Sequence, residues 1–309
     1  MVFEVIGPIF FLLALGYLSV KCSLLSKEQV GTIGAFVIKI ALPALFFQSL
    51  ASKDLHQIWY PSYFFVYTGV TFLLYGMAYW LLSTHFKNNM SQTAVLSLGA
   101  GMSNTGLIGT AVLSLLVGQN AMTYTSLIVI IESVLLIPTV LVLAQLGSSQ
   151  QKANIGDIIK NTLMTLLKNP LFAGVMLGIG FAIFQIRLPH QINDVLAMLG
   201  QTASPLALFA IGGGIVGMSL KYVNAQSFYL VISSNLVMPL LTYLGLRYLT
   251  DVSQEMLYAG TIIAALPMPT IFAMLGQVYG LNEKTLTPLL MSTILGFVVT
   301  GVLISLWWA

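Results

Sequence analysis

Gly101-Met102-Ser103-Asn104-Thr105-Gly106 interrupts an apolar segment that runs from Gly99 to Gly118. The segment is too apolar for a surface loop and too broken for a plain helix, so it reads as a membrane helix unwound near its middle. Inside hydrocarbon a backbone N–H or C=O without a partner is costly, and non-helical backbone survives there only where it lines a cavity or is buried in protein. The break therefore predicts a polar site. Asn104 has the short amide that caps a new helix start, and Gly106 and Gly109 leave the first turn open to close approach. Ser103, Asn104 and the N–H groups of Thr105, Gly106 and Leu107 then face the occupant with the positive end of the half-helix dipole, for which an anionic group is the natural guest. The alternative is an unbroken Gly-rich helix packed closely against a neighbour.

Composition sets the solvent. Of 309 residues 58% are hydrophobic and 7% charged, with a mean hydropathy of +0.93, whereas about a quarter of residues are charged in soluble domains. The chain is expected to be an all-α polytopic membrane protein. A scattered net charge of +3, with no basic cluster interleaved with aromatics, excludes a nucleic-acid partner. The single cysteine, Cys22, excludes an intrachain disulfide. His56, His85 and His190 fall in separate loops without carboxylates at metal-ligand spacing, so no metal is expected. No phosphate-cradling Gly-x-x-x-x-Gly-Lys stretch is present and no cofactor is expected. With no nucleophile and base pair visible, an enzyme is the weakest reading. Glu4 stands where a signal peptide carries basic residues, so the first apolar run is expected to stay as a helix.

Ten stretches approach the twenty or so apolar residues that a span needs. They are Phe3 to Val20, Gln29 to Leu50, Tyr60 to Leu82, Ser91 to Val117, Met122 to Leu146, Pro170 to Ile186, Ile192 to Met218, Phe228 to Leu249, Gln254 to Tyr279 and Leu286 to Trp308. Residues 148–167 form a polar linker with an amphipathic helix, expected to face the cytoplasm. Sliding the chain against itself by 162 residues pairs Pro8 with Pro170, Gly16 with Gly178, Pro43 with Pro205, Phe47 with Phe209, Gly118 with Gly280 and Asn120 with Asn282. The chain thus reads as a five-span unit in residues 1–147 duplicated in residues 168–309. Five is odd, so the second copy lies inverted, and inverted repeats with corresponding broken helices point to a secondary transporter.

The same shift lays Asn104 on Leu266, inside the interruption Leu266-Pro267-Met268-Pro269 of span nine. Each proline removes a donor, so the carbonyls of Ile263 and Ala265 are expected to lose their helical partners beside Met268 and Thr270. Pro269 suits the first residue of the second half-helix. Pro43, Pro138, Pro205 and Pro239 read as plain kinks, and Gly212 to Gly214 as a close-packing face or a hinge.

Two charges remain inside spans. Glu132 lies near the middle of span five and Lys39 one turn before Pro43. Desolvation penalises the charged form of a carboxyl group, so Glu132 is either a proton-coupling group or a structural carboxylate bonded to neighbouring helices. Lys39 either attracts an anionic substrate, pairs with Glu132, or snorkels to an interface. Of the basic residues outside spans, Lys53, Arg187 and Arg247 fall on the side of the termini, against Lys21, Lys27, Lys87, Lys152, Lys160, Lys168, Lys221 and Lys284 on the other. By the positive-inside rule both termini are expected outside the cytoplasm.

Gly7-Pro8-Ile9-Phe10, Ala41-Leu42-Pro43-Ala44-Leu45-Phe46-Phe47, Ser103-Asn104-Thr105-Gly106-Leu107-Ile108-Gly109, Ser204-Pro205-Leu206-Ala207-Leu208-Phe209 and Ala264-Ala265-Leu266-Pro267, in this order, resemble the auxin efflux carrier family. That family includes the plant PIN proteins and bacterial malonate and malate permeases. The resemblance covers essentially the whole chain. It implies a scaffold and homodimer surface made of spans one, two, six and seven, with helices two and seven at the interface, and a moving domain of spans three to five and eight to ten. It also implies passive or proton-linked transport of organic acids by an elevator-like motion in the cell membrane, with Asn104 and Pro267 as the matching site residues. The long cytoplasmic loop of the plant carriers is replaced by the short linker, and Thr110-Ala111 stands where a proline often occurs. Two rivals remain: a sodium-coupled symporter of the bile-acid type, and a membrane sensor that binds a ligand without moving it.

Overall fold

Pro43, Pro138 and Pro239 each follow closely on a widened turn inside a helix. The computed structural model in which this is seen describes residues 2–51, 59–118, 120–148, 170–217 and 223–308, and residues 156, 160, 164, 167 and 168 of the linker. Among the described residues all regular structure is helical. The helices are α1 (Val2–Lys21), α2 (Lys27–Phe36), α3 (Leu42–Ala51), α4 (Pro61–Thr84), α5 (Met90–Gly101), α6 (Thr110–Val117), α7 (Asn120–Ile130) and α8 (Ile137–Ser148). They continue with α9 (Pro170–Ile183), α10 (His190–Gly214), α11 (Ala225–Ile232), α12 (Met238–Leu249), α13 (Gln254–Ala265), α14 (Thr270–Val278) and α15 (Asn282–Trp307).

The widened turns explain why several spans consist of two helices. Proline cannot donate to the carbonyl four residues back and its ring collides with it. In Val37–Ala41, Ile131–Leu136 and Ser233–Val237 the backbone opens instead into a π turn, whose next N–H reaches back five residues: Leu42 to Val37, Ile137 to Glu132 and Met238 to Ser233. The three prolines are thus more than kinks. Each π turn carries a polar side chain within a span, respectively Lys39, Glu132 and Asn235, and such turns recur at functional sites.

Seven helices are long and apolar enough to cross a membrane: Lys27–Gln48, Pro61–Thr84, Thr123–Ser148, His190–Gly214, Ala225–Leu249, Gln254–Val278 and Asn282–Trp307. Shorter apolar helices, Phe11–Lys21 and Phe172–Ile183, lie where the first and sixth spans are expected. The expected fourth span is divided between α5 and α6, neither long enough alone. The amphipathic helix expected in the linker, and Lys53 and His56, fall outside the described residues.

The chain separates into two units. One comprises Met1–Trp59, Gly106–Ser126 and Leu166–Ser219. In it α1 packs on α10 and α9 on α3. Both crossings are glycine-mediated: a Cβ on Gly16 would overlap the Phe209 carbonyl, and a Cβ on Gly178 would come within 3.1 Å of the Phe47 carbonyl. These are the same two positions at the 162-residue shift. Gly212 abuts the Leu13 carbonyl and Gly213 the Val30 side chain, so these two glycines form a close-packing face, while Gly214 stands in open space.

The other unit comprises Tyr60–Thr105, Leu127–Thr165 and Leu220–Ala309. At its centre lie α5 and α13, each started by a side-chain cap, with the Gln92 N–H donating to Asn89 at 2.8 Å and the Met256 N–H to Ser253 at 3.2 Å. Every residue from Thr93 to Thr105 and from Ala259 to Pro269 is buried. A helix covered on all sides has no amphipathic stripe, which accounts for the uniform apolar reading of these two segments.

Candidate functional site

Both central helices end within the protein, and their ends meet. After Gly101 the backbone extends at Met102 (φ −132°, ψ 136°), and the next helical turn is the π turn Thr105–Gly109. After Ala265 it extends through Leu266 (φ −60°, ψ 156°) to Pro269 (φ −74°, ψ 150°), and α14 follows. A single backbone hydrogen bond joins the two breaks, the Asn104 N–H donating to the Pro267 carbonyl at 2.9 Å.

Each break is held from both flanking spans. For the Ser103–Thr105 segment, α4 supplies Tyr67, whose hydroxyl lies 3.1 Å from Ser103 Oγ. The π turn before α8 supplies Glu132, whose Oε1 accepts from Thr105 Oγ1 at 2.8 Å and from Ser103 Oγ at 3.5 Å. Ser103 Oγ and Thr105 Oγ1 are 3.0 Å apart, and the Ser103 backbone N–H faces the same carboxylate. All four side chains are buried. For the second break, the π turn before α12 supplies Asn235, whose Nδ2 donates to the carbonyls of Ala265 at 3.2 Å and Leu266 at 3.1 Å. From α15, Ser292 Oγ accepts the Met268 N–H at 2.9 Å. Gly296 on the same helix lets Pro267 come close, since a Cβ there would meet the proline nitrogen at 2.8 Å.

The geometry corrects several details of the sequence reading. The Ile263 carbonyl is not orphaned, because the Leu266 N–H takes it at 3.1 Å, and the Ala265 carbonyl goes to Asn235. Pro269 occupies the N-cap, with Thr270 as the first residue of α14. Asn104 does not cap the second half-helix: its backbone is drawn to Pro267, and its carboxamide, 5% exposed, has no hydrogen-bond partner among the described residues. Ser103, Thr105 and Glu132 come together directly, while Asn104, Pro267, Met268 and Pro269 are joined through the backbone. Gly106 belongs to the first unit, where a Cβ would overlap the Phe46 ring, and the Leu107 side chain lies outside the described residues. Lys39 is exposed on its π turn in that same unit. The partners of Glu132 are hydroxyl groups. Tyr67, Asn235 and Ser292 are additions. Of these only Asn235 had a signal, an amide inside a span four residues before a proline.

Spans broken at mid-length around an interior polar site are the architecture of secondary transporters. The sequence matches the membrane transport protein family over residues 1–305. The chain belongs to that family, which is the family of auxin efflux carriers, and is a multi-pass membrane transporter. It is 24% identical over 299 residues to the "Putative malonate transporter" of Rhizobium meliloti (strain 1021), covering 96% of this chain and 93% of that one. It is also 24% identical over 301 residues to the "Uncharacterized transporter YfdV" of Escherichia coli (strain K12), covering 95% and 93%. A similar match to the mouse "Lysosomal cholesterol signaling protein", 24% over 241 residues, takes in 73% of this chain and 27% of that protein.

Proposed function

We propose that this protein is a secondary transporter for a small organic anion, a mono- or dicarboxylate, with its site at the junction of the two breaks. The observation that carries the reading is the junction at Asn104, whose backbone N–H is bonded to the Pro267 carbonyl while its carboxamide makes no hydrogen bond among the described residues. A carboxamide that makes no bond to the protein keeps its donors for a ligand. The Asn104 NH₂ group and the N–H group of Thr105 hold a carboxylate, with Ser103, Pro267, Met268, Pro269 and Thr270 shaping the site and Glu132 as the proton-coupling group. The carbonyls of Ala265, Leu266 and Pro267 already accept hydrogen bonds, which favours an anion over the sodium ion of the bile-acid type. The malonate named for the Rhizobium relative falls in the proposed substrate class.

In this proposal the chain is two inverted five-span repeats, residues 1–147 and 168–309, supported by the matched Gly16 and Gly178 crossings. Spans three to five and eight to ten move as the transport domain of an elevator, and the others form the scaffold and the homodimer surface through helices two and seven. The grouping of Tyr60–Thr105 and Leu127–Thr165 with Leu220–Ala309 supports this partition for all but Gly106–Ser126, which group with the other unit. The protein sits in the cell membrane with both termini outside the cytoplasm. The test is thermal stabilisation of the purified protein by a panel of mono- and dicarboxylates, since a ligand that binds only the folded state raises the melting temperature. Stabilisation by malonate or a related acid, absent in Asn104→Ala, supports the site; stabilisation by sodium alone overturns it.

A further inference from the structure

We infer that Tyr67 is a positioning residue for Glu132, at the far end of a hydroxyl chain that ties the charge of the carboxyl group to the two residues flanking Asn104. The chain is short and wholly buried. The Tyr67 hydroxyl stands 3.1 Å from Ser103 Oγ, Ser103 Oγ stands 3.0 Å from Thr105 Oγ1, and Thr105 donates to Glu132 at 2.8 Å. Thr105 also faces the Tyr67 phenol.

Counting hydrogens shows what this arrangement favours. A carboxylate only accepts, whereas a protonated carboxyl group must also donate. With Glu132 ionised, Tyr67 donates to Ser103, Thr105 donates to Glu132, and the Ser103 hydrogen is shared between Thr105 and the carboxylate, so each hydroxyl hydrogen has an acceptor. A proton taken up on Oε1 competes for the Thr105 oxygen and turns the hydroxyls of Ser103 and Thr105 away from the carboxyl group. Those two residues sit on either side of Asn104, so the proton is felt at the anion site without any contact between Glu132 and the substrate.

No other charged side chain lies in the segments that flank Glu132. Glu132 is the only Asp, Glu, Lys, Arg or His in Pro61–Thr84 and in Met90–Ser148. Of the elements packed on its π turn, α4 brings the tyrosine pair Tyr63 and Tyr67, stacked at 6.4 Å, and α8 brings no titratable group. The break brings only Ser103 and Thr105. Tyr67 is the terminal donor, and its ring is fixed by that stack.

This inference takes Glu132 as the coupling group from the proposed function, and the test separates the two. The protonated carboxyl band of Glu132 is identified by infrared difference spectroscopy as the band that Glu132→Gln removes, and is titrated in wild type, Tyr67→Phe, Ser103→Ala and the double variant. Loss of a donor to the charged form moves the midpoint to higher pH by roughly half a unit to one unit in Tyr67→Phe. Ser103→Ala does the same, and the double variant adds little because the two act in one chain. Phenylalanine keeps the ring and its stacking, so a folding defect does not mimic the shift. An unmoved midpoint in Tyr67→Phe, or fully additive shifts, overturns the inference whether or not transport is proton-coupled. Proton-independent uptake with the midpoint shifted removes the coupling role of Glu132 and leaves the positioning role of Tyr67 standing.

Discussion

Replacing Asn104 by alanine removes one amide with no hydrogen-bond partner and leaves the backbone bond to Pro267 in place. Substrate affinity is therefore expected to fall about tenfold to a hundredfold, the weight of one or two hydrogen bonds to a charged group, with the melting temperature of the empty protein unchanged. Competition binding and a melting curve check both parts. Asn235→Ala has the opposite profile, because it strips the Ala265 and Leu266 carbonyls of their shared donor in a buried setting. A loss of about 2–4 kcal/mol of stability follows from orphaning groups of this kind, read as a lower melting temperature; an unchanged curve contradicts the clamp. The contrast shows what was legible at this scale. Asn104 was visible as an amide between glycines in a span, whereas the partners of Glu132 were not, since Ser, Thr and Tyr are common in membrane helices and hydrogen bonds between distant residues leave no local pattern.

Among the elements, the π turns are the least expected feature and the most exposed to test. Pro138 stands behind the turn that aims Glu132 at Thr105, so Pro138→Ala allows that segment to close into an ordinary helix. One residue fewer in the wide turn rotates Glu132 by about 100° relative to the following helix, enough to break the Thr105 bond. Transport is expected to fall while the helical signal in circular dichroism stays constant; full activity in this variant contradicts the link between turn and site. From the sequence Pro43, Pro138 and Pro239 read as kinks, whereas each follows a widened turn. A proline removes one helical hydrogen bond in any case, and whether the backbone bends or widens is decided by the tertiary partners of the freed groups. The double interruption at Pro267 and Pro269 was readable because two missing donors cannot be absorbed by one bend.

For the whole molecule, the class was plain from composition, but the division into two units cuts across both proposed repeats and no local pattern announces it. In the proposed orientation the loop around Cys22 faces the cytoplasm. That cysteine is the only one in the chain and is exposed, so a membrane-impermeant maleimide is expected to label it in permeabilised cells and not in intact ones; labelling of intact cells reverses the orientation. The central claim is that the junction at Asn104 carries a carboxylate across the bilayer, and its most direct test is uptake of labelled malonate and related acids into proteoliposomes with and without an imposed proton gradient. Saturable flux is expected in wild type, with a strongly reduced flux in Asn104→Ala at substrate concentrations that half-saturate the wild type. Flux of equal size in that variant, or none for any acid in wild type, would contradict it.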